Sequence, residues 1–293
     1  MYASPFEYAV ASSWEEAVRL LAEGGDDAKV IAGGQSLVPM MTLRLATPRL
    51  LVDVNRASPE QVEQRDGHLV IPALTRHAEL ERSPLVRRWS PILSEAAGFI
   101  GNIRVRHRGT IGGSFAHADP ASELPTVVIA LQGSVIVFGP TGEREISAPD
   151  FFITHFTTAL DPGEVVTRVR VPVIQEGRGW GFVELARRVG DFALIEAAAL
   201  IDLEEDGRCS AVRLALGAVG ERPFDASDLA APMIGSVPDE GVAAEVAEAA
   251  SGAVEPSSGV HGSAEYRRRM VATVAKRALR AAARRAGTKR VAR

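Results

Sequence analysis

The chain has very few of the residues that hold inorganic redox centres. Cys209 is the one cysteine among 293 residues. An iron–sulfur cluster takes about four thiolates and a disulfide takes two, so this sequence supports neither. No stretch approaches the roughly 20 apolar residues of a membrane-spanning helix, and the start lacks the basic and apolar segments of a signal peptide. We therefore expect a cytoplasmic protein in which Cys209 is a small, buried residue.

Charge is unevenly distributed along the chain. From Arg267 to Arg293 there are eleven Lys and Arg and no acid, which leaves 22 basic residues against 37 acidic ones elsewhere. Small apolar residues recur in this segment at helical spacing, so the arginines fall on the opposite face of a predicted helix. This pattern favours a solvated or partner-facing helix over a nucleic-acid-binding arm. The apolar positions are Val271, Val274, Ala275, Ala278 and Ala282.

Two glycine pairs stand out in the N-terminal half. "AGGQS" at 32–36 and "TIGGS" at 110–114 each place Gly-Gly beside a hydroxyl, and both follow segments that could be strands. Glycine pairs allow successive N–H groups to point into one concavity and let a phosphate approach without interference from a Cβ. A single pair can simply form a tight turn, but two matching loops favour a ligand with two phosphates.

Other chemistries lack their motifs. Neither glycine pair continues into the Gly-x-Ser-x-Gly elbow of a hydrolase, and the chain has neither Gly-x-Gly-x-x-Gly nor a P-loop. His117 and Asp119 do not form the His-Glu-x-x-His pattern of a zinc site. We therefore expect no metal ligand.

The residues around these loops carry a family resemblance. "KVIAGGQSLVPMMTLRLATPRLLVDVNR", "IRVRHRGTIGGSFAHADPASELP" and "FVELARRVGDFALIEAAALI" resemble the FAD-binding medium subunit of molybdenum hydroxylases. This family includes the carbon monoxide dehydrogenase medium chains and the flavin domain of xanthine dehydrogenase. The resemblance implies an α+β fold, with a p-cresol methylhydroxylase-type FAD-binding domain of two lobes and a C-terminal domain of antiparallel sheet and helices, of the carbon monoxide dehydrogenase flavoprotein type.

The resemblance, together with a glycine-rich break at 172–181, sets the expected boundaries. The FAD-binding domain would span 1–175, with lobes at about 1–56 and 57–175. The C-terminal domain would span 176–285, and 286–293 would be a flexible basic tail. Within the C-terminal domain, "EEDGR" predicts the turn of a β-hairpin. In this family type, residues 184–194 form a loop near the flavin ring.

The resemblance also assigns cofactor-binding residues but no catalytic side chain, and it implies that His117 and Asp119 are loop residues. The two loops would hold the pyrophosphate and ribityl parts of FAD, and Glu123 would accept a hydrogen bond from a cofactor hydroxyl. Glu123 is equally well explained as an acid at a helix N-terminus, where it stabilises the helix dipole. The full set is Ala32, Gly33, Gly34, Gln35, Ser36, Leu37, Thr110, Ile111, Gly112, Gly113, Ser114 and Glu123.

The implied function is electron transfer through FAD within an oxidoreductase. With one cysteine and no segment that resembles a molybdopterin site, the chain would depend on a large molybdopterin-binding subunit and a small [2Fe-2S] subunit, in a dimer of heterotrimers. Electrons would reach FAD from molybdenum through the clusters and leave to an external acceptor. Two alternatives remain open: a self-contained FAD-dependent oxidase or dehydrogenase of the same fold, and a binding module that has lost the flavin.

Overall fold

The N-terminal segment forms a small parallel sheet with one long helix against it. The computed structural model describes residues 2–291, and side chains through residue 287. The strands pair in the order β1-β3-β2. The elements are β1 Glu7–Val10, α1 Trp14–Gly24, a 3-10 turn Gly25–Asp27, β2 Ala28–Ile31, α2 Leu37–Thr42 and β3 Leu50–Asp53. Ser13 caps α1 by accepting the Glu16 N–H at 3.2 Å, so the predicted helix start is confirmed.

The next segment builds a five-stranded antiparallel sheet covered by short helices. The strand order is β4-β5-β10-β6-β7, with β10 in the centre. The strands are β4 Glu63–Arg65, β5 His68–Pro72, β6 Ser134–Gly139, β7 Gly142–Ser147, β8 Phe152–Thr154, β9 Thr157–Thr158 and β10 Val165–Pro172, of which β8 and β9 form a separate hairpin. The helices are α3 His77–Arg82, α4 Pro84–Trp89, α5 Pro91–Ala97, α6 Ile103–Arg108, α7 Ile111–His117, α8 Glu123–Ala130 and α9 Ala148–Phe151.

The C-terminal segment is a four-stranded antiparallel sheet, ordered β11-β12-β13-β14, with helices on it. The predicted hairpin is present between β12 and β13. The elements are β11 Gly179–Ala186, β12 Ala193–Leu203, β13 Cys209–Gly217, β14 Phe224–Asp225, a 3-10 helix Asp228–Met233, α10 Glu240–Gly252 and α11 Ala264–Val291. The predicted apolar face of α11 is buried against this sheet, and Cys209 is buried as well.

The two faces of the C-terminal sheet pack against different partners. Because side chains alternate along a strand, Ala197 and Ala199 of β12 face α11. Ala198 and Leu200 face the other way, into the core formed by the five-stranded sheet and helices such as α8. This second face brings β11 and β12 close to α8 of the preceding segment.

The structure differs from three expectations. "TIGGS" does not follow a strand: Asn102 caps α6, and Thr110 then caps α7 by accepting the Gly113 N–H, so the glycine pair lies in a first helical turn. The segment 184–194 is a loop only at 187–192, because β11 and β12 extend into it. Helix α11 continues through 286–291 of the predicted flexible tail, and 292–293 lie outside the described residues.

Across residues 2–291, no helix is both long enough and apolar enough to cross a membrane.

Candidate functional site

A large cavity lies where the N-terminal lobe, the five-stranded sheet and the loop before β12 meet. Its volume is about 1200 Å³, above the 300–1,000 Å³ typical of small-molecule pockets. The walls are formed by the loop 32–37, the start of α7, the start of β10 and the loop residues 190–192. A cavity of this size suits an extended ligand such as a dinucleotide.

Nearly all of the predicted cofactor-binding residues line this cavity. The exception is Ile111, whose side chain is fully buried in the core beneath α7. Within a helical turn, successive side chains point in different directions, so Ile111 packs inward while Gly112, Gly113 and Ser114 face the cavity. The Ile111 side chain thus does not line the cavity, and the assignment of Ile111 to cofactor binding through its backbone stays a prediction.

The first glycine loop presents free backbone donors. In the described part of the chain, the N–H groups of Gly33, Gly34, Gln35 and Ser36 have no protein acceptor. Buried or cavity-lining N–H groups are nearly always paired in proteins. Successive unpaired donors along one cavity wall therefore indicate that this loop binds an anionic or strongly accepting ligand group.

Polar contacts to neighbouring segments hold the first loop in place. Asn55 donates from Nδ2 to the Ala32 carbonyl at 2.9 Å and to Asp53 Oδ1 at 2.6 Å. Arg76 donates to Asn55 Oδ1 at 2.6 Å and also to the Arg108 carbonyl. This network links the loop to both lobes and fixes the direction of its N–H groups.

Gly33 allows the two lobes to approach each other. A Cβ on Gly33 would overlap the Arg108 carbonyl oxygen and would lie 2.7 Å from its carbonyl carbon and 2.8 Å from Gly109 Cα. These neighbours are all backbone atoms, so they cannot rotate away. Glycine is required at position 33 to keep the loop against the segment that leads into α7.

The second glycine pair is arranged differently from the first. The Gly112 N–H donates to the Ala73 carbonyl at 2.9 Å, and the Gly113 N–H to Thr110 Oγ1 at 3.1 Å. The N–H groups of Ile111 and Ser114 are also paired within the chain. A Cβ on Gly113 would have only Thr110 Oγ1 within 4 Å. The pair thus keeps one wall of the cavity open and adds no free N–H.

Two buried side chains have polar atoms without a partner at the cavity wall. Trp14 Nε1 and His77 Nδ1 are buried without any hydrogen bond among the described residues, and both side chains line the cavity. Burial, with smaller effects from the charges of Arg76 and Arg106, lowers the pKa of His77 to about 4. His77 is therefore neutral near pH 7. The absence of partners for these atoms is what a cavity shaped for a polar ligand would show.

Glu123 combines the two roles considered from the sequence. It is the first residue of α8, as expected of an acid near a helix N-terminus, and it also lines the cavity. Its side chain is buried, and this burial raises its pKa, helped by the nearby carboxylates of Glu184 and Asp119. A protonated Glu123 would be able to donate as well as accept a hydrogen bond.

The short loop 187–192 borders the cavity opening. Gly190, Asp191 and Phe192 contribute to the wall, and the Phe192 side chain is 73% exposed. An exposed aromatic ring at the edge of a cavity provides a surface on which a planar ring can stack. Sequence patterns alone did not indicate this role, nor the roles of Trp14 and His77, because all three depend on contacts between distant segments.

Two families together match nearly the whole chain. Residues 4–174 match the FAD binding domain in molybdopterin dehydrogenase, and residues 180–282 match the CO dehydrogenase flavoprotein C-terminal domain. The fold and the glycine-lined cavity are thus those of a flavoprotein, a FAD-binding subunit of an oxidoreductase. The chain belongs to the FAD-binding medium subunits of molybdenum hydroxylases, the carbon monoxide dehydrogenase medium chain family. The predicted family, fold class and cofactor are confirmed.

Relatives with known roles are similar over almost their full length. The 6-hydroxypseudooxynicotine dehydrogenase complex subunit alpha of Paenarthrobacter nicotinovorans is 43% identical, over 96% of this chain and 95% of that protein. The carbon monoxide dehydrogenase of Hydrogenophaga pseudoflava, in a form that lacks the Mo-pyranopterin moiety, superposes with a TM-score of 0.94 at 38% identity, over 97% and 99% of the two chains. Quinoline 2-oxidoreductase from Pseudomonas putida 86 gives a TM-score of 0.93 at 38% identity, over 98% and 99%.

Proposed function

We propose that this chain holds FAD in the large cavity and passes electrons from a small [2Fe-2S] subunit to an external acceptor. A large molybdopterin-binding subunit would complete a heterotrimer, which would pair as a dimer. The observation that carries the proposal is the cavity wall itself, where the free N–H groups of 33–36 face the same space as Trp14 Nε1 and His77. These donors and the neutral imidazole match a long ligand with phosphates and several hydroxyls.

The residues divide into binding, positioning and covering groups. The N–H groups of the first loop would bind the pyrophosphate, and Asn55 with Arg76 would keep them aimed. Gly113 would leave room beside the phosphates. Glu123 and His77 would hydrogen-bond along the ribityl chain, and Phe192 would cover the ring. Bound FAD supplies the redox chemistry, because it exchanges electrons singly or in pairs.

We infer that another polypeptide supplies the electrons. The single thiol, Cys209, is 1% exposed and stands alone, whereas an iron–sulfur cluster takes about four thiolates. Large apolar side chains are also exposed at Phe192, which lines the cavity, and at Ile103 and Val189, which are close in sequence to lining residues. Exposed apolar groups beside a functional opening are typical of an interaction site. We propose that the exposed surface around these three side chains binds the [2Fe-2S] subunit.

Anaerobic reduction of the flavin tests this function. The FAD-loaded chain is mixed with its dithionite-reduced [2Fe-2S] subunit, freed of excess dithionite, and the visible flavin bands are followed. We expect rapid bleaching with the reduced subunit. We expect no bleaching when the isolated chain is mixed with carbon monoxide, a purine, quinoline or an aromatic aldehyde. Bleaching of the isolated chain by one of these compounds would instead identify a self-contained oxidase or dehydrogenase.

The assembly has a separate test. Co-expression with the large and small subunits should give a complex that contains molybdenum, iron and FAD, with the mass of two heterotrimers. If the chain purifies alone from such cells with full FAD content, the proposed assembly is wrong, although the binding of FAD would still hold.

A further inference from the structure

Three glutamates lie together between the cavity and the C-terminal sheet. Glu123 lines the cavity at the start of α8, while Glu184 and Glu196 sit directly opposite each other on β11 and β12. Residues opposite each other in an antiparallel pair have Cβ atoms about 4.5–5.5 Å apart on the same face. This face is the one that packs against α8, since Phe182 and Ala198 on it belong to the core shared with that helix.

Glu196 is completely buried, yet its carboxyl group is only half paired. Its Oε1 accepts a hydrogen bond of 2.5 Å from the Thr126 hydroxyl, and its Oε2 has no partner among the described residues. Thr126 lies one helical turn beyond Glu123 on the same side of α8. A Cβ at Gly217 would overlap both Glu196 Oε1 and Thr126 Oγ1, so the fold leaves space for this contact.

Among the side chains that the structure describes, no cation compensates these carboxyls. The charged groups that act on Glu196 are Glu123, Glu184 and Asp119, all acidic. Arg267 lies on α11, which packs on the other face of the sheet, and donates to the carbonyls of Leu194, Ala218 and Ser257. Within the described residues, no group of His, Cys, Asp or Glu is arranged to hold a metal ion. Burial and like-charge repulsion raise the pKa of Glu196 well above its usual value, and burial raises the pKa of Glu184 to about 7.

A buried carboxyl with no cation nearby holds a proton more stably than a charge. The row formed by Glu123, Glu196 and Glu184 therefore contains dissociable protons near neutral pH. One end of the row faces the cavity at Glu123. At the other end Glu184 is partly exposed, while its Oε2, like Glu196 Oε2, is buried without a hydrogen-bond partner among the described residues.

We propose that Glu123, Glu196 and Glu184 form a proton relay between solvent and the cavity, with the Thr126 hydroxyl as its bridge. The proposal rests on FAD occupying the cavity. Electrons delivered by an iron–sulfur cluster carry no protons, whereas fully reduced flavin has gained two electrons and at least one proton. In the relay Glu123 would give up its proton toward the reduced cofactor, and Glu196 would restore the proton of Glu123 through Thr126. Glu184 would then restore the proton of Glu196, and solvent would restore the proton of Glu184. One proton thus enters from solvent for each proton delivered.

Proton uptake after rapid electron delivery tests the relay. The FAD-loaded full-length chain is reduced anaerobically by reduced methyl viologen, an outer-sphere donor that brings no proton, while a pH-indicator dye reports proton uptake. In Glu196→Gln, which keeps the shape of the side chain but cannot pass a proton, we expect uptake to lag about 100-fold, the lower end of the effect of removing a positioned proton donor. Thr126→Val should also slow uptake, and Glu196→Asp should restore part of the rate.

Controls separate this result from loss of the cofactor. Glu205→Gln removes one exposed carboxylate from the hairpin turn of the same sheet and should leave uptake unchanged. The visible spectrum reports FAD content in every sample, so a chain without flavin would refute the proposed function and not the relay. Infrared difference spectra of the wild type should show a protonated carboxyl that changes on reduction and is missing in Glu196→Gln. Equal uptake rates in flavin-loaded wild type and Glu196→Gln would overturn the relay.

Discussion

Replacing Gly33 by alanine would push apart two backbone segments that the fold holds in contact. The added Cβ would lie 2.7 Å from the Arg108 carbonyl carbon and 2.8 Å from Gly109 Cα. Carbon atoms normally approach to about 3.5–4.0 Å, so the segments must separate by roughly 0.8 Å or more. Asn55 and Arg76 tie both segments to the surrounding structure, which limits how freely they can move.

The expected effects follow from this overlap. Overpacking of a tight contact costs about 1–3 kcal/mol, so the cofactor-free Gly33→Ala variant should lose about that much free energy of unfolding. Displacement of the loop should also break at least one N–H contact to a phosphate, at about 1.5–3 kcal/mol for a hydrogen bond to a charged group. The Kd for FAD should therefore rise about 10- to 150-fold.

Two other glycines supply the comparisons. Gly252→Ala adds the same methyl group at the exposed end of α10, where nothing lies within 4 Å of the new Cβ. It should lower neither the free energy of unfolding nor the affinity for FAD. Gly113→Ala meets only Thr110 Oγ1 at 2.9 Å, so it should weaken FAD binding with little loss of stability. The measurements are urea unfolding of the cofactor-free chain and calorimetric titration with FAD. If Gly33→Ala bound FAD as tightly as the wild type, the assigned role of the loop would be wrong.

Two further predictions use groups that the sequence did not single out. Trp14→Phe removes an unpaired buried donor and also part of a ring that packs against two apolar clusters, so any loss of stability in the cofactor-free chain comes from that packing. The Kd for FAD should rise up to about tenfold if the indole N–H contacts the cofactor, and calorimetry that gives an unchanged Kd would exclude the contact. The raised pKa of Glu196 means that the folded chain keeps a proton which the unfolded chain releases above its ordinary pKa of 4.5. The stability that Glu196 contributes is therefore complete below pH 4.5 and is lost as pH rises toward its raised pKa, by up to about 1.4 kcal/mol per pH unit. Glu196→Gln should remove this slope in urea unfolding, and parallel pH profiles would contradict the assignment.

Much of the fold could be predicted from local signals. The Ser13 cap, the apolar period of α11 and the turn before β13 each depend on residues close in sequence, and the structure confirms all three. The two glycine pairs also predicted a ligand site, and both of them line the same cavity. The family resemblance added what no local pattern contained, namely that the ligand is FAD and that the domain which binds it has two lobes.

The remaining features depend on contacts between distant residues. Thr126 and Glu196 are 70 positions apart, and no spacing rule connects them. Burial of Trp14 Nε1 beside the cavity likewise depends on how α1 packs against the five-stranded sheet. The helical start of "TIGGS" was missed because Thr110 acts as a cap, and two glycines in a first turn are unfavourable by helix propensity alone.

The two glycine pairs look alike in sequence but have different physical roles. The first pair leaves its N–H groups unpaired along the cavity, and Gly33 also allows the close approach to Arg108. The second pair has its N–H groups bonded to Ala73 and Thr110, so what it contributes is the absence of side chains at the wall. A Gly-Gly beside a hydroxyl therefore does not by itself identify a donor loop. The deciding observation is whether the surrounding structure already supplies acceptors for those N–H groups, and only the loop at 32–36 leaves them to a ligand.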